Sequence, residues 1–201
     1  MSTALPSAAA GRRERNKLAK LERITAAASE LFAEHGVDDV TTQQIAELAD
    51  IGTGTLFLYA RTKSELLLLV QNANYLGALE RGRAAAQEIS DPVDALMALA
   101  TPIVECNRAQ VENGRTYLRE MVYGDPEEPR HAEALGIVAG TEEAVAALLQ
   151  REGRVDAERA AILAHVLSAI LLLSMSLSAN AGASIDEILG GVRRQVEAIL
   201  P

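Results

Sequence analysis

Thr53-Gly54-Thr55-Leu56-Phe57-Leu58 opens a short helix almost directly after another one, and that placement decides the fold. The preceding helix, over 41–49, starts on Thr41-Thr42-Gln43-Gln44. A hydroxyl at the N-cap and an amide three residues on can each satisfy a backbone N–H that the first helical turn leaves unpaired. Asp50-Ile51-Gly52 makes a tight turn between the two helices. Ile45, Ala49, Ile51, Leu56 and Tyr59 have the spacing that packs two short helices across a sharp bend. The pattern predicts a helix-turn-helix whose second helix enters a DNA major groove.

Outward from this motif, periodic segments are long and β-branched runs few, so the expected fold class is all-α. With 49% hydrophobic and 23% charged residues over 201 positions, the chain has the composition of a folded protein of one or two domains. Residues 1–11 read as a disordered tail, and a helix over 13–35 ends at Gly36 as its C-cap. Leu18, Leu21, Ile24, Ala28, Leu31 and Phe32 form its apolar face. Thr62-Lys63-Ser64-Glu65 is a second capping box, opening a helix to about residue 89. Asp91-Pro92 starts the next, which Asn113-Gly114 breaks before a helix over 116–123. Helices over 130–151, 156–180 and 184–200 complete nine, with no strand candidate. The expected domains are therefore a helix-turn-helix domain over 12–62 and a helical domain over 63–201.

The net charge of −9 is unevenly spread. Arg12, Arg13, Arg15, Lys17, Lys20 and Arg23 crowd one short stretch, whereas residues 66–201 hold 11 basic and 19 acidic side chains. A basic arm on an acidic body is compatible with DNA binding, and a solvated helix start is the plainer account of the same run. Cys106, the single cysteine, excludes an internal disulfide and a cysteine metal cluster and suits a reducing cytoplasm. No secretory leader pattern is present, so a cytoplasmic protein is expected. His35, His131 and His165 show no ligand spacing, and no nucleophile or acid–base constellation appears. Neither an enzyme nor a metal or cofactor is expected.

The apolar stretch 160–179 is long enough to span a bilayer, but it contains His165 and several serines. Burial from two sides, by its own core and by a second copy, explains it more simply and predicts a homodimer without a membrane. Leu163, Leu167, Ile170, Leu171, Leu177, Ile188, Val192 and Val196 are the expected buried positions of a four-helix interface.

Thr41-Thr42-Gln43-Gln44-Ile45-Ala46, the run from Ile51 to Tyr59, Lys63 and Glu65-Leu66-Leu67 resemble the TetR family of bacterial transcriptional repressors. The resemblance covers residues 18–70 and departs from the usual pattern at Asp50, Gly52, Thr53, Phe57 and Ala60. Asp tolerates a left-handed turn better than most residues, so the change at Asp50 is compatible with the motif. The resemblance implies a three-helix DNA-binding domain followed by a six-helix ligand-binding and dimerisation bundle. It also implies phosphate contacts from Thr42, Tyr59 and Lys63.

Gln43, Thr53, Gly54, Thr55 and Leu58 are the candidates for facing the base edges. Gln43 can pair with adenine through both amide atoms, and Leu58 can meet a thymine methyl. Gly54 lets the backbone come close to the duplex. The family precedent of a cavity in the second domain makes Tyr75, Met97, Val104, Cys106, Asn107, Tyr117, Met121 and His165 candidate lining residues. So few aromatics (3%) favour an aliphatic pocket over a stacking cage. The expected function is a ligand-responsive DNA-binding transcriptional regulator, a repressor released from a pseudo-palindromic double-stranded DNA operator by a small-molecule effector. The alternative is a helical small-molecule-binding or interaction protein with a vestigial DNA-binding head.

Overall fold

In the computed structural model, which describes residues 8–151 and 155–200, the described residues are helical with no strand. Nine α-helices follow in order: α1 (Ala8–His35), α2 (Thr42–Leu48), α3 (Thr53–Leu56), α4 (Lys63–Ala86), α5 (Pro92–Arg108), α6 (Val111–Tyr123), α7 (Pro129–Gln150), α8 (Ala157–Ser176) and α9 (Ile185–Ile199). A 3-10 turn at Ser178–Asn180 follows α8. Contacts divide the chain into two units, Met1–Val70 and Gln71–Pro201. Helix α4 belongs to the first as far as Val70 and to the second from Gln71.

The first unit is set by polar side chains at helix ends. Thr41 Oγ1 accepts from Gln44 N at 3.2 Å while Gln44 Oε1 accepts from Thr41 N at 2.8 Å, completing the capping box. Helix α2 ends with Asp50 at φ 52°, with Ile51 N donating to Ala46 O and Asp50 N to Glu47 O. This pair of bonds usually closes on glycine; here aspartate takes the left-handed position, as expected. Gly36, at φ 79°, ends α1 in the same backbone region. At α4, Glu65 N donates to Thr62 Oγ1, but the Glu65 carboxylate accepts from Arg61 N rather than Thr62 N. Ile24, Ala28, Phe32, Ile45, Leu56, Ala60 and Leu66 are buried together in this unit's core.

Helix α1 begins earlier than the sequence indicates, so residues 8–11 of the expected tail are helical, and residues 1–7 lie outside the described ones. Arg15 and Lys17 are exposed on this helix, not on an extended arm; the side chains of Arg12 and Arg13 lie outside the description. Leu18 is 51% exposed, so the apolar face of α1 starts later than its periodicity suggests.

In the second unit, α8 packs on α7 and α9, α5 on α9 and α6, and α6 on α8. Asp91, Asp156 and Ser184 cap α5, α8 and α9 as their sequence positions predict. The expected break at Asn113-Gly114 is not there. Gln110 caps α6, accepting from Asn113 N at 2.7 Å, and Gly114 lies buried inside the helix. A Cβ at 114 would collide with the Asn107 carbonyl oxygen, so this glycine permits close packing of α5 and α6. One at Gly82 would likewise collide with Leu99 O of α5.

Helix α8 is long and apolar enough to cross a bilayer by length and composition. Ala160, Ala164, Leu167, Leu171 and Met175 are buried on one face of it, while Ile162, Val166 and Leu173 are exposed. The expected interface set is therefore corrected. Leu167, Leu171, Ile188, Val192 and Val196 are buried within the single chain, Leu163 and Ile170 are half-buried, and only Leu177 of the set is exposed. A helix apolar nearly all round gives no periodic signal to separate its own core face from an outer one.

Candidate functional site

The capping box consumes Thr41 and Gln44, which leaves Thr42 and Gln43 pointing away from it at the start of α2. Gln43 is exposed, and its Nε2 donates to Glu47 Oε1 one turn on at 2.9 Å. That pairing was not anticipated, although the four-residue spacing of Gln43 and Glu47 is a helix-surface signal. In α3 Leu56 alone is fully buried; Thr53 and Thr55 are half-buried, Gly54 is exposed and Leu58, just beyond, is 83% exposed. An added Cβ at Gly54 or Gly52 would meet nothing within 4 Å, so neither glycine is required by internal packing. Ala60, one of the departures, is buried, whereas Phe57 is half exposed beside Leu58.

Tyr59 is half-buried. The Lys63 ammonium donates to the Asp38 carbonyl at 2.9 Å, which holds it at the start of α4 with further N–H groups to spare. Arg23 reaches the Asp50 carboxylate at 3.4 Å across the turn, an exposed pair that contributes little stability. Six of the predicted residues, Thr42, Gln43, Thr53, Gly54, Thr55 and Leu58, thus lie at or beside the turn of the motif with open or partly open surfaces.

The second unit contains a cavity of about 290 Å³ lined from α4 to α8. Tyr75 and Tyr117 stack in its wall with ring centroids 4.6 Å apart. Their hydroxyls face polar partners: Asn107 Nδ2 donates to Tyr75 Oη at 2.7 Å, and Tyr117 Oη donates to Asn72 Oδ1 at 2.9 Å. Asn72 Nδ2 donates onward to Arg130 O at 2.8 Å. Burial raises the pKa of both phenols, well above the ordinary value in Tyr75, so both keep their protons.

Of the candidate residues, Tyr75, Tyr117, Met121 and His165 line this cavity. Met97, Val104 and Asn107 do not, and neither does Cys106. Met97 and Val104 are ordinary core, and Asn107 stands behind the wall, bonded to Tyr75. Burial raises the Cys106 thiol to about 11. Ile137, Val138, Thr141, Glu142, Ser168 and Leu172 are lining residues that sequence reasoning missed. Aliphatic lining cannot be told from core by residue type. The available signal was Thr141-Glu142-Glu143 interrupting an otherwise apolar stretch over 134–149. Glu142 Oε1 lies 3.0 Å from His165 Nδ1 at the cavity's polar edge. Among the described residues, no group of His, Cys, Asp and Glu is arranged to hold a metal.

Residues 24–70 match the family model described as bacterial regulatory proteins, tetR family. Residues 24–70 therefore carry a TetR-family N-terminal domain. That model describes bacterial regulatory proteins, and the residues it matches contain the helix-turn-helix of α2 and α3. No curated protein matches the chain. The TetR-type fold extends to solved structures over most of the length. Thermus thermophilus FadR, titled a TetR-family transcriptional repressor in complex with lauroyl-CoA, is 24% identical with a TM-score of 0.69, covering 90% of this chain and 95% of its own. A transcriptional regulator from Rhodococcus sp. Rha1 is 20% identical with a TM-score of 0.67, at the same two coverages. The fatty acid degradation regulator FadR from Bacillus halodurans is 16% identical with a TM-score of 0.59, covering 90% and 99%.

Proposed function

We propose that this protein is a TetR-family, cytoplasmic, homodimeric repressor that leaves a pseudo-palindromic operator when a small molecule enters the cavity of its second unit. One observation carries this: an exposed surface at Gln43, Gly54 and Leu58 on one unit coexists with a half-open cavity of about 290 Å³ in the other. Thr42, Tyr59 and Lys63 are assigned to phosphates, and Gln43, Thr53, Gly54, Thr55 and Leu58 to the groove. Two such heads related by two-fold symmetry would read half-sites centred about 34–36 Å apart.

The exposed stripe Ile162, Val166 and Leu173 on α8, together with Leu177, supplies the self-complementary apolar face of the dimer. An effector releases the operator only if it binds the DNA-incompetent state better than the competent one, since equal affinity shifts nothing. Helix α4 is the element assigned to carry that difference, because its residues are shared by both units. The aliphatic lining, with Tyr75, Tyr117, Met121 and His165, suits a ligand with a long apolar part, the kind of chain present in the lauroyl-CoA complex of the Thermus protein.

A mobility-shift titration of the purified protein against its own upstream region, beside random DNA of equal length, tests the DNA assignment. Preferential retardation of the upstream fragment is expected. Equal affinity for both at moderate salt would favour the vestigial-head alternative. Sedimentation equilibrium at micromolar concentration tests the dimer, and a monomer mass would remove the α8 interface.

A further inference from the structure

We infer that the cavity selects an aliphatic ligand carrying a protonated amine, held by Glu142, and discriminates against anionic chains; this rests on the effector-cavity assignment above. The space of about 290 Å³ is near the lower end of small-molecule sites, so a medium-length aliphatic chain suits it. Its surroundings are almost wholly apolar, and the polar exceptions gather at one edge: Thr141, Glu142, His165 and Ser168. Neither lysine nor arginine lines it. Glu142 is its only formal negative charge, with a side chain 28% exposed.

A carboxylate at the edge of an apolar cavity favours a cation and opposes a second anion, because the apolar wall on one side screens either interaction less than bulk water does. His165, its partner, is 80% exposed in the single chain, so packing within the chain does not fix it against Glu142, and it can yield Glu142 to an incoming ammonium. The phenols of Tyr75 and Tyr117 are protonated and turned to Asn107 and Asn72, so they offer no competing charge. The wider field has the same sign: residues 71–201 hold 11 basic and 19 acidic side chains. A second groove of similar size does contain Arg83 and Arg151, but these donate to the Gly140 and Ala86 carbonyls, respectively. A phosphate-bearing headgroup at the first cavity would find neither lysine nor arginine among the described lining residues.

Calorimetric titration of the full-length protein with n-decylamine, 1-decanol, decanoate and decanoyl-CoA, each below its micelle threshold, tests this. Decylamine is expected to bind at least about tenfold more tightly than decanol and decanoate, with decanoyl-CoA weakest. Glu142→Gln should erase the preference for the amine while leaving decanol affinity and the melting temperature unchanged, and His165→Ala should retain the preference. Decanoate or decanoyl-CoA binding as tightly as the amine, or an amine preference that survives in Glu142→Gln, would overturn the inference and leave the effector cavity standing. No binding by any of the four chains would instead remove the cavity assignment on which it rests.

Discussion

Thr41 and Gln44 hold each other's backbone at the start of α2, and Asp50 closes that helix in a left-handed turn; in the second unit, Gly82 and Gly114 hold helices together by having no side chain at all. The first unit is specified by directional polar contacts written into short stretches of sequence. The second is specified by close approach of long apolar helices, which no short stretch announces. It follows that the proposed DNA face can change without disturbing its scaffold, whereas the cavity and the scaffold share the same side chains.

The sharpest way to break this contrast is Gly114→Ala. The new methyl would meet a backbone oxygen rather than a movable side chain, so a loss of about 3 kcal/mol in urea unfolding is expected. A change below about 0.5 kcal/mol would mean that α5 and α6 can separate freely, against the tight packing of protein interiors. Tyr117→Phe comes next. It leaves Asn72 Oδ1 buried without its donor, and about 1–2 kcal/mol of stability should go with it. The pKa of Tyr117 is raised by folding, so its contribution is complete below about pH 10 and declines as pH rises towards the folded value. Unfolding at pH 9 and pH 11 should therefore show a smaller alkaline loss for the phenylalanine variant than for the parent, Cys106 and Tyr75 supplying the remainder with the same sign.

Substitutions on the first unit should act in the opposite manner. Leu58→Ala removes a side chain that is 83% exposed, so stability should stay within about 0.5 kcal/mol while affinity for the operator falls about tenfold. An unchanged mobility shift would take Leu58 out of the groove. The smallest effect, and the most diagnostic, is Gly54→Ala. With open space around the added methyl, helix propensity should raise stability by about 0.5 kcal/mol. Operator binding should weaken at the same time if the duplex comes as close as proposed. A variant that is both more stable and equally tight would show that this glycine has no role at the DNA.

The same contrast explains what the sequence disclosed. Caps at Thr41, Asp91, Asp156 and Ser184 and the turns at Gly36 and Asp50 are local chemistry, and each stands where its residue type predicts. Gly114 misled because glycine marks both chain breaks and tight packing, and only the neighbour Asn107 distinguishes them. The α8 face misled because nearly every side of that helix is apolar, so Leu167 and Leu171 could be allotted equally to a partner or to the chain's own core. At the cavity, the tyrosines and Met121 stand out by size or type, while Ile137, Val138 and Leu172 could belong to any helical core. Lys63 illustrates a finer limit: its position was legible, but not that the Asp38 carbonyl holds its ammonium.

Position 114 also constrains how such a chamber can be retuned. Helix α6 carries Tyr117, Leu118 and Met121 of the lining, and its glycine rests against α5 with no slack left between the two backbones. That wall is fixed in depth. Descendants that accept bulkier or slimmer guests must therefore acquire the change elsewhere, through trimming or filling at Ile137, Val138 or Leu172 on the opposite helices, and a library randomised at codon 114 should return almost nothing but glycine.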